Sequence, residues 1–207
     1  MTVLWADMVP GIAGRAPDLP RFTGAEAFQR ECVTFYRVTR AWRVRGVALA
    51  STVVGQSVYT VTNNPAGASL CGLPAVWIGT QEGKELPTGK ADDYLSTDTS
   101  ATPFVGVAGP ASIILAPFPA SAGVAITATA AYEPAGNATG LDDALWAAHR
   151  EAIEAAVLAR LKAQTNKPWS APMEVMYWEG EANRLALQAS TEAGPTRRRA
   201  SLRVEPL

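Results

Sequence analysis

The clearest periodicity in the chain runs through Phe28, Cys32, Phe35 and Trp42, which recur at steps of four, three and seven. That spacing puts them on one face of a helix. Thr23 with Glu26 three residues on has the pattern of a capping box, so the helix is expected to start there and run to about Arg40. Its face is aromatic and must be buried. Ahead of it, Pro10, Pro17 and Pro20 with Gly11 and Gly14 between them predict a mostly extended lead-in, with at most one turn of helix before Pro10.

After Arg45 the pattern changes to short runs rich in Val, Thr and Ala. Candidate strands are Gly46–Ser51, Ser57–Thr62, Ala75–Thr80, Phe104–Val107, Ser112–Ala116 and Val124–Tyr132, separated by turn clusters such as Asn63-Asn64-Pro65 and Gly109-Pro110. Strands this short and this closely spaced predict a small antiparallel sandwich. In the last of them threonines alternate with small apolar residues, as on a sheet with one covered and one exposed face.

Helical periodicity returns at Gly140, with Asp142 and Asp143 placed to favour a helix dipole in a first turn, and continues to about Ala163. Leu141, Leu145, Ala148, Ala152, Ala155 and Ala159 form a stripe of mostly small residues beside Trp146, Ile153, Val157 and Leu161. Another helix can approach closely along it. Pro172 fits the first turn of a further helix, in which Val175, Trp178, Ala182, Leu185 and Ala189 keep helical spacing up to Gly194-Pro195. Residues 194–207 then carry Arg197, Arg198, Arg199 and Arg203 against one acid, and read as an arm that needs a partner to hold it.

Composition narrows the function classes. Among 207 residues, 18 Lys+Arg against 19 Asp+Glu leave a formal net charge of −1, so no global field steers the chain to nucleic acid or an acidic membrane. Charged residues make up only 18%, below the usual quarter. Two cysteines, Cys32 and Cys71, and one histidine, His149, fall short of the four ligands of a structural zinc site and predict reduced thiols. The first ten residues lack a basic segment and meet Asp7 before an apolar run develops, and no window reaches the roughly 18 apolar residues of a membrane span. The expectation is an unexported protein made in a cytoplasm, with no membrane contact.

Catalytic chemistry finds little footing. Gly79-Thr-Gln-Glu-Gly83 and Val105-Gly-Val-Ala-Gly109 lack the residues that phosphate cradling needs. No Gly-x-Ser-x-Gly turn accompanies His149, Asp92-Asp93 beside Lys90 read as a polar loop, and Glu179 and Glu181 stand two apart on a helix, hence on different faces. Neither an enzyme activity nor a cofactor is expected. Arg37, Arg40, Arg43 and Arg45 cluster at the end of the first helix, where they offset its dipole or face a partner. The arm's arginines suit carboxylates and phosphates alike, and Leu202 and Val204 are spaced to add a strand to a partner's sheet edge.

The order of the parts then matters. A proline-bearing lead-in, a helix ending in Phe35-Tyr-Arg-Val-Thr-Arg-Ala-Trp-Arg43, a β segment containing Leu115-Ala-Pro-Phe-Pro119, an Ala-rich helix with Glu151-Ala-Ile-Glu154, Lys167-Pro-Trp169, a second helix and an arm follow one another. This succession resembles the head-to-tail adaptor, or connector, proteins of tailed bacteriophages, the group that includes tail tubular protein A, over nearly the whole chain. The resemblance implies an α+β fold in which N- and C-terminal helices form a bundle carrying an inserted antiparallel β domain, with an extended C-terminal arm. The corresponding divisions are residues 1–45, 46–140, 141–193 and 194–207. It also implies a homo-oligomeric ring, typically of twelve, at the head-tail junction of the virion, docked on the portal protein and receiving a tail or nozzle protein while enclosing the DNA passage. Portal contact falls to Arg197, Arg198, Arg199, Leu202, Arg203 and Val204. A different class, a receptor- or carbohydrate-binding β module of a virion, rests on Trp77, Tyr94 and Tyr132 as aromatic platforms.

Overall fold

A computed structural model describes residues 1–86 and 103–194. The β-forming middle of the chain supplies seven strands of one sheet: β2 (Arg43–Ser51), β3 (Val58–Thr60), β4 (Ala68–Ile78), β5 (Gln81–Glu85), β6 (Phe104–Gly109), β7 (Ser112–Ala116) and β8 (Ala125–Pro134). Their order is β2-β8-β4-β5-β6-β7-β3, antiparallel except for the parallel pair β5–β6. A second, two-stranded sheet joins β1 (Thr2–Leu4) to β9 (Gly140–Asp142). The helices are α1 (Trp5–Met8), continued by a 3-10 turn at Val9–Ile12, then α2 (Arg21–Thr39), α3 (Asp143–Lys162) and α4 (Pro172–Ala193).

Bulges bend the large sheet. The register shifts between Val44 and Val47, where Gly46 takes φ +67°, and again along β4 and β6; each extra residue sharpens the local twist. The sheet therefore curls until its edge strands β2 and β3 touch, and the Asn63 amide donates to the Ala48 carbonyl at 2.9 Å. Inside lie Leu49, Leu73, Val76, Val105, Ile113 and Ile126, all buried.

The helices form a layer with a separate core of Trp5, Met8, Ile12, Phe28, Phe35, Ile153, Leu158 and Trp169. Phe28, Cys32 and Phe35 are buried as their spacing requires. Trp42 stands just past the helix and packs against both cores, with Tyr36 at 6.1 Å on one side and Tyr132 at 6.0 Å on the other.

Several expectations need correction. The class α+β holds, but a helical bundle with a small inserted β domain does not: the seven-stranded curled sheet dominates, and the described residues contain four helices, one of them a single turn. Nor do the strands make an antiparallel sandwich, because one sheet curls on itself and β5–β6 is parallel. The capping box does not form. Pro20, at φ −60° and ψ 135°, takes the N-cap position three residues ahead of Thr23, with no side-chain cap, and the Gly24 amide closes the first turn on the Pro20 carbonyl. The lead-in has its expected turn of helix, but it continues into the 3-10 turn and contributes Trp5, Met8, Val9 and Ile12 to the core. Gly24 packs so tightly there that a Cβ would stand 2.7 Å from Val9 Cγ2. Asp142 caps α3, accepting from the Ala144 amide at 2.9 Å.

Candidate assembly surfaces

The arginines at the end of α2 are drawn into the molecule. Arg37 grips Glu133 on β8 with two bonds of 2.7 and 2.8 Å. Arg40 closes α2 in the left-handed region, its amide donating to the Tyr36 carbonyl, while its guanidinium reaches Glu85 on β5 at 2.7 Å. The same carboxylate accepts from the Leu73 amide at 3.0 Å, and Arg43 donates back to the Arg40 carbonyl at 2.8 Å. These side chains clasp the helical layer to the sheet. Arg37 and Arg45 stay exposed, Arg40 and Arg43 partly buried.

The titratable candidates are likewise absorbed by packing. His149 lies against Phe35 and Tyr36, ring centroids 5.2 and 5.7 Å away; burial lowers its pKa, with Glu192 opposing. The Tyr36 hydroxyl donates to the Leu145 carbonyl at 3.0 Å. Burial raises the Cys32 thiol well above its ordinary range and lifts Cys71 to about 11, the nearby Glu133 adding to the latter. No group of three His, Cys, Asp or Glu among the described residues is placed to hold a metal ion, and no described helix is long and apolar enough to cross a membrane. Gly79-Thr80 is the two-residue turn between β4 and β5, with Gly79 at φ +60°, as a tight hairpin requires. As for aromatic platforms, Tyr132 is fully buried and Trp77 half-buried.

Large apolar side chains also remain open on the surface. On α4, Met173 is 95% exposed, Met176 83%, Tyr177 66% and Leu187 72%. On α2, Phe22 and Val38 are exposed. At one end of the sheet, exposed Val53, Val54 and Val58 surround the turn at Gly55, whose amide donates to the Pro119 carbonyl at 3.4 Å. Beside that turn Pro117, Phe118 and Pro119 line a hollow of about 140 Å³. Between the helices an open groove of about 620 Å³ is floored by Ala156, Ala159 and Ala163 and rimmed by Glu31, Glu179 and Asn183. Glu31 is held there by an ion pair with Arg160.

Neither a protein-family model nor a curated protein matches this chain. The surfaces themselves therefore carry the reading. Arg197, Arg198, Arg199, Leu202, Arg203 and Val204 lie outside the described residues, as do Lys90, Asp92, Asp93 and Tyr94. The outward stripe of α4 was the surface missed from sequence. Its signal is Met173, Met176, Tyr177 and Leu187 interleaved with the inward stripe of Trp178, Leu185 and Ala189.

Proposed function

We propose that this chain is a non-enzymatic structural subunit of a bacteriophage head-to-tail connector, one copy of a ring, typically of twelve, that sits between portal and tail and surrounds the DNA passage. The observation that carries the reading is the exposure of large apolar side chains on two helices and one sheet end of the same chain. A lone soluble domain rarely shows several such patches, whereas a ring subunit covers them with neighbours. The order of parts along the chain and its low charge content agree with that role. In this reading the Arg-rich arm, residues 194–207, docks on portal subunits, the helical layer meets neighbouring copies and the curled sheet is turned toward a tail or nozzle protein. Passing DNA makes only non-specific contacts, in keeping with a net charge of −1.

Deleting residues 195–207 tests the arm. Capture on immobilised portal protein is expected to fall to background while circular dichroism stays unchanged, and retained capture removes the arm from the mechanism. A full chain that never associates with portal, as read by native mass spectrometry, overturns the reading as a whole.

A further inference from the structure

The outer side of α4 is apolar along most of its length. At about 100° per residue, Met173, Met176, Tyr177, Gly180 and Leu187 share an arc of about 100°, while Trp178, Leu185, Ala186 and Ala189 take the opposite side against the helical core. Among the described residues no second helix carries such a stripe. On α2 the exposed Phe22 and Val38 stand about 160° apart, with the charged Glu26, Arg30 and Arg37 exposed on the same helix. The surface that matches the α4 stripe in length and chemistry is the same stripe on a second copy.

Area and shape allow that pairing. At the exposures given above, the four large side chains make a patch on the order of 500 Å², near the upper end for a lone chain. Two such patches laid together bury about 1,000 Å² in all, which meets the lower mark for a specific interface. Nothing lies within 4 Å of the place where a Cβ on Gly180 would stand, so the middle of the stripe is a notch open to the outside. Another helix can approach closely over it.

Charge fixes the direction. Arg184 lies within the outer arc and Glu181 at its edge, joined by two bonds of 2.9 and 2.6 Å, and their side chains remain 59% and 33% exposed. Two stripes laid parallel set arginine against arginine and carboxylate against carboxylate, which repel. Laid antiparallel about a two-fold axis at the level of Ala182, residues equally far before and after that level face each other. Met176 and Tyr177 then bracket Leu187 of the other copy, and the Gly180 notch lies opposite Arg184. The two-fold also keeps each flank beside its counterpart, so Arg184 of one copy comes within about one residue's rise, about 1.5 Å along the axis, of the level of Glu181 in the other.

We infer that two copies of the chain pair through the outer faces of α4, antiparallel across a two-fold axis at the level of Ala182, with Arg184 of each set against Glu181 of the other. An isologous contact of this kind closes on itself at two copies. Its copies face opposite ways, so the pair is a form taken by subunits outside a ring, and the inference stands without the connector reading.

Sedimentation velocity of the full chain over a concentration series tests it. The unmodified protein is expected to reach twice its 21.8 kDa and to stop there, and Met176→Glu with Leu187→Glu to raise the midpoint concentration at least about tenfold. Both side chains are exposed, so circular dichroism should not change. Glu181→Arg alone and Arg184→Glu alone each set like charges face to face and should weaken pairing, while an equimolar mixture of the two should restore it as a heterodimer. Oxidation in a Cys71→Ser background reads the direction. Met176→Cys mixed with Leu187→Cys should give a disulfide-linked pair, and neither variant alone should. Met176→Cys linking to itself places the helices parallel and overturns the arrangement, as does pairing unmoved by either charge reversal. A wild-type chain that stays monomeric, or that associates beyond two copies, overturns the proposal. Portal capture is scored separately. A dimer without capture sinks the connector reading alone, and capture by a chain that forms no dimer sinks this contact alone.

Discussion

The helical layer and the curled sheet solve the same burial problem with different side chains. The helical core is filled by large aromatics, Trp5, Phe28, Phe35, Tyr36 and Trp169, carried on α1, α2 and the segment ahead of α4. The sheet core is built from aliphatic residues with alanines at Ala128 and Ala130 on its central strand β8, where small side chains let the sheet curl tightly. The layers also differ in what they leave outside. The helices expose an apolar stripe along α4 and two separate apolar side chains, Phe22 and Val38, on α2, whereas the sheet exposes its valines at one end. A layer packed by aromatics inside and still apolar outside is suited to meeting further helices. A curled sheet with covered edges resists edge-to-edge pairing, and so meets partners by its ends.

The strongest way to break this comparison is to damage one core and watch the other. Phe28→Ala removes a fully buried ring from the helical layer and should cost about 3–5 kcal/mol in urea unfolding. Thiol labelling reports each side separately, since Cys32 lies in the helical core and Cys71 on β4. If both thiols become reactive at the same urea concentration, the layers unfold as one unit and the contrast is one of composition only.

Trp42→Ala is aimed at the joint. The ring packs on both cores, and its loss should cost about 2–3 kcal/mol while splitting one calorimetric transition into two. A single sharpened transition would show that the layers couple elsewhere. Next in size is the clasp: Arg40→Ala leaves Glu85, which still accepts from the Leu73 amide, without its cation and should lower stability by about 1 kcal/mol, less at high salt. An unchanged midpoint would assign the joint to Trp42 alone.

The smallest effect belongs to His149. Burial depresses its pKa in the folded state, so folding favours the neutral ring. Stability is then complete above the ordinary histidine range near 6.5 and declines as the pH falls through that range toward the folded value. His149→Phe should flatten this part of the profile, measured as the change in Tm between pH 7.5 and pH 5. A profile left unchanged assigns the acid sensitivity to carboxylates.

Helix positions were legible because their faces are unambiguous. Phe28, Cys32 and Phe35 announce α2, and the ends of α3 and α4 fall within a few residues of where Asp142 and Pro172 put them. The sheet was less legible for specific reasons. Pro74 breaks the apparent strand propensity of β4, yet it sits in the bulge between Gly72 and Ala75, where its missing N–H costs no ladder bond. Gln81-Glu-Gly-Lys-Glu85 is too polar to read as a strand and is held by pairing with β4. The curl itself depends on register shifts that no local pattern encodes. The outward stripe of α4 was hidden by the inward one, since both share the same helical period.

The short pairing of residues 2–4 with residues 140–142 sets an order on synthesis. As the chain leaves the ribosome, α2 emerges with only α1 and its following turn to cover part of its aromatic face, and α3 and α4, which bury the rest, lie beyond the entire sheet. The sheet must therefore close first, or close around an unfinished neighbour, and the long-range step that seals β1 onto β9 comes late and slowly. Any nascent chain stalled before residue 140 exposes Phe28, Phe35 and Tyr36 together, a natural target for chaperones and proteases.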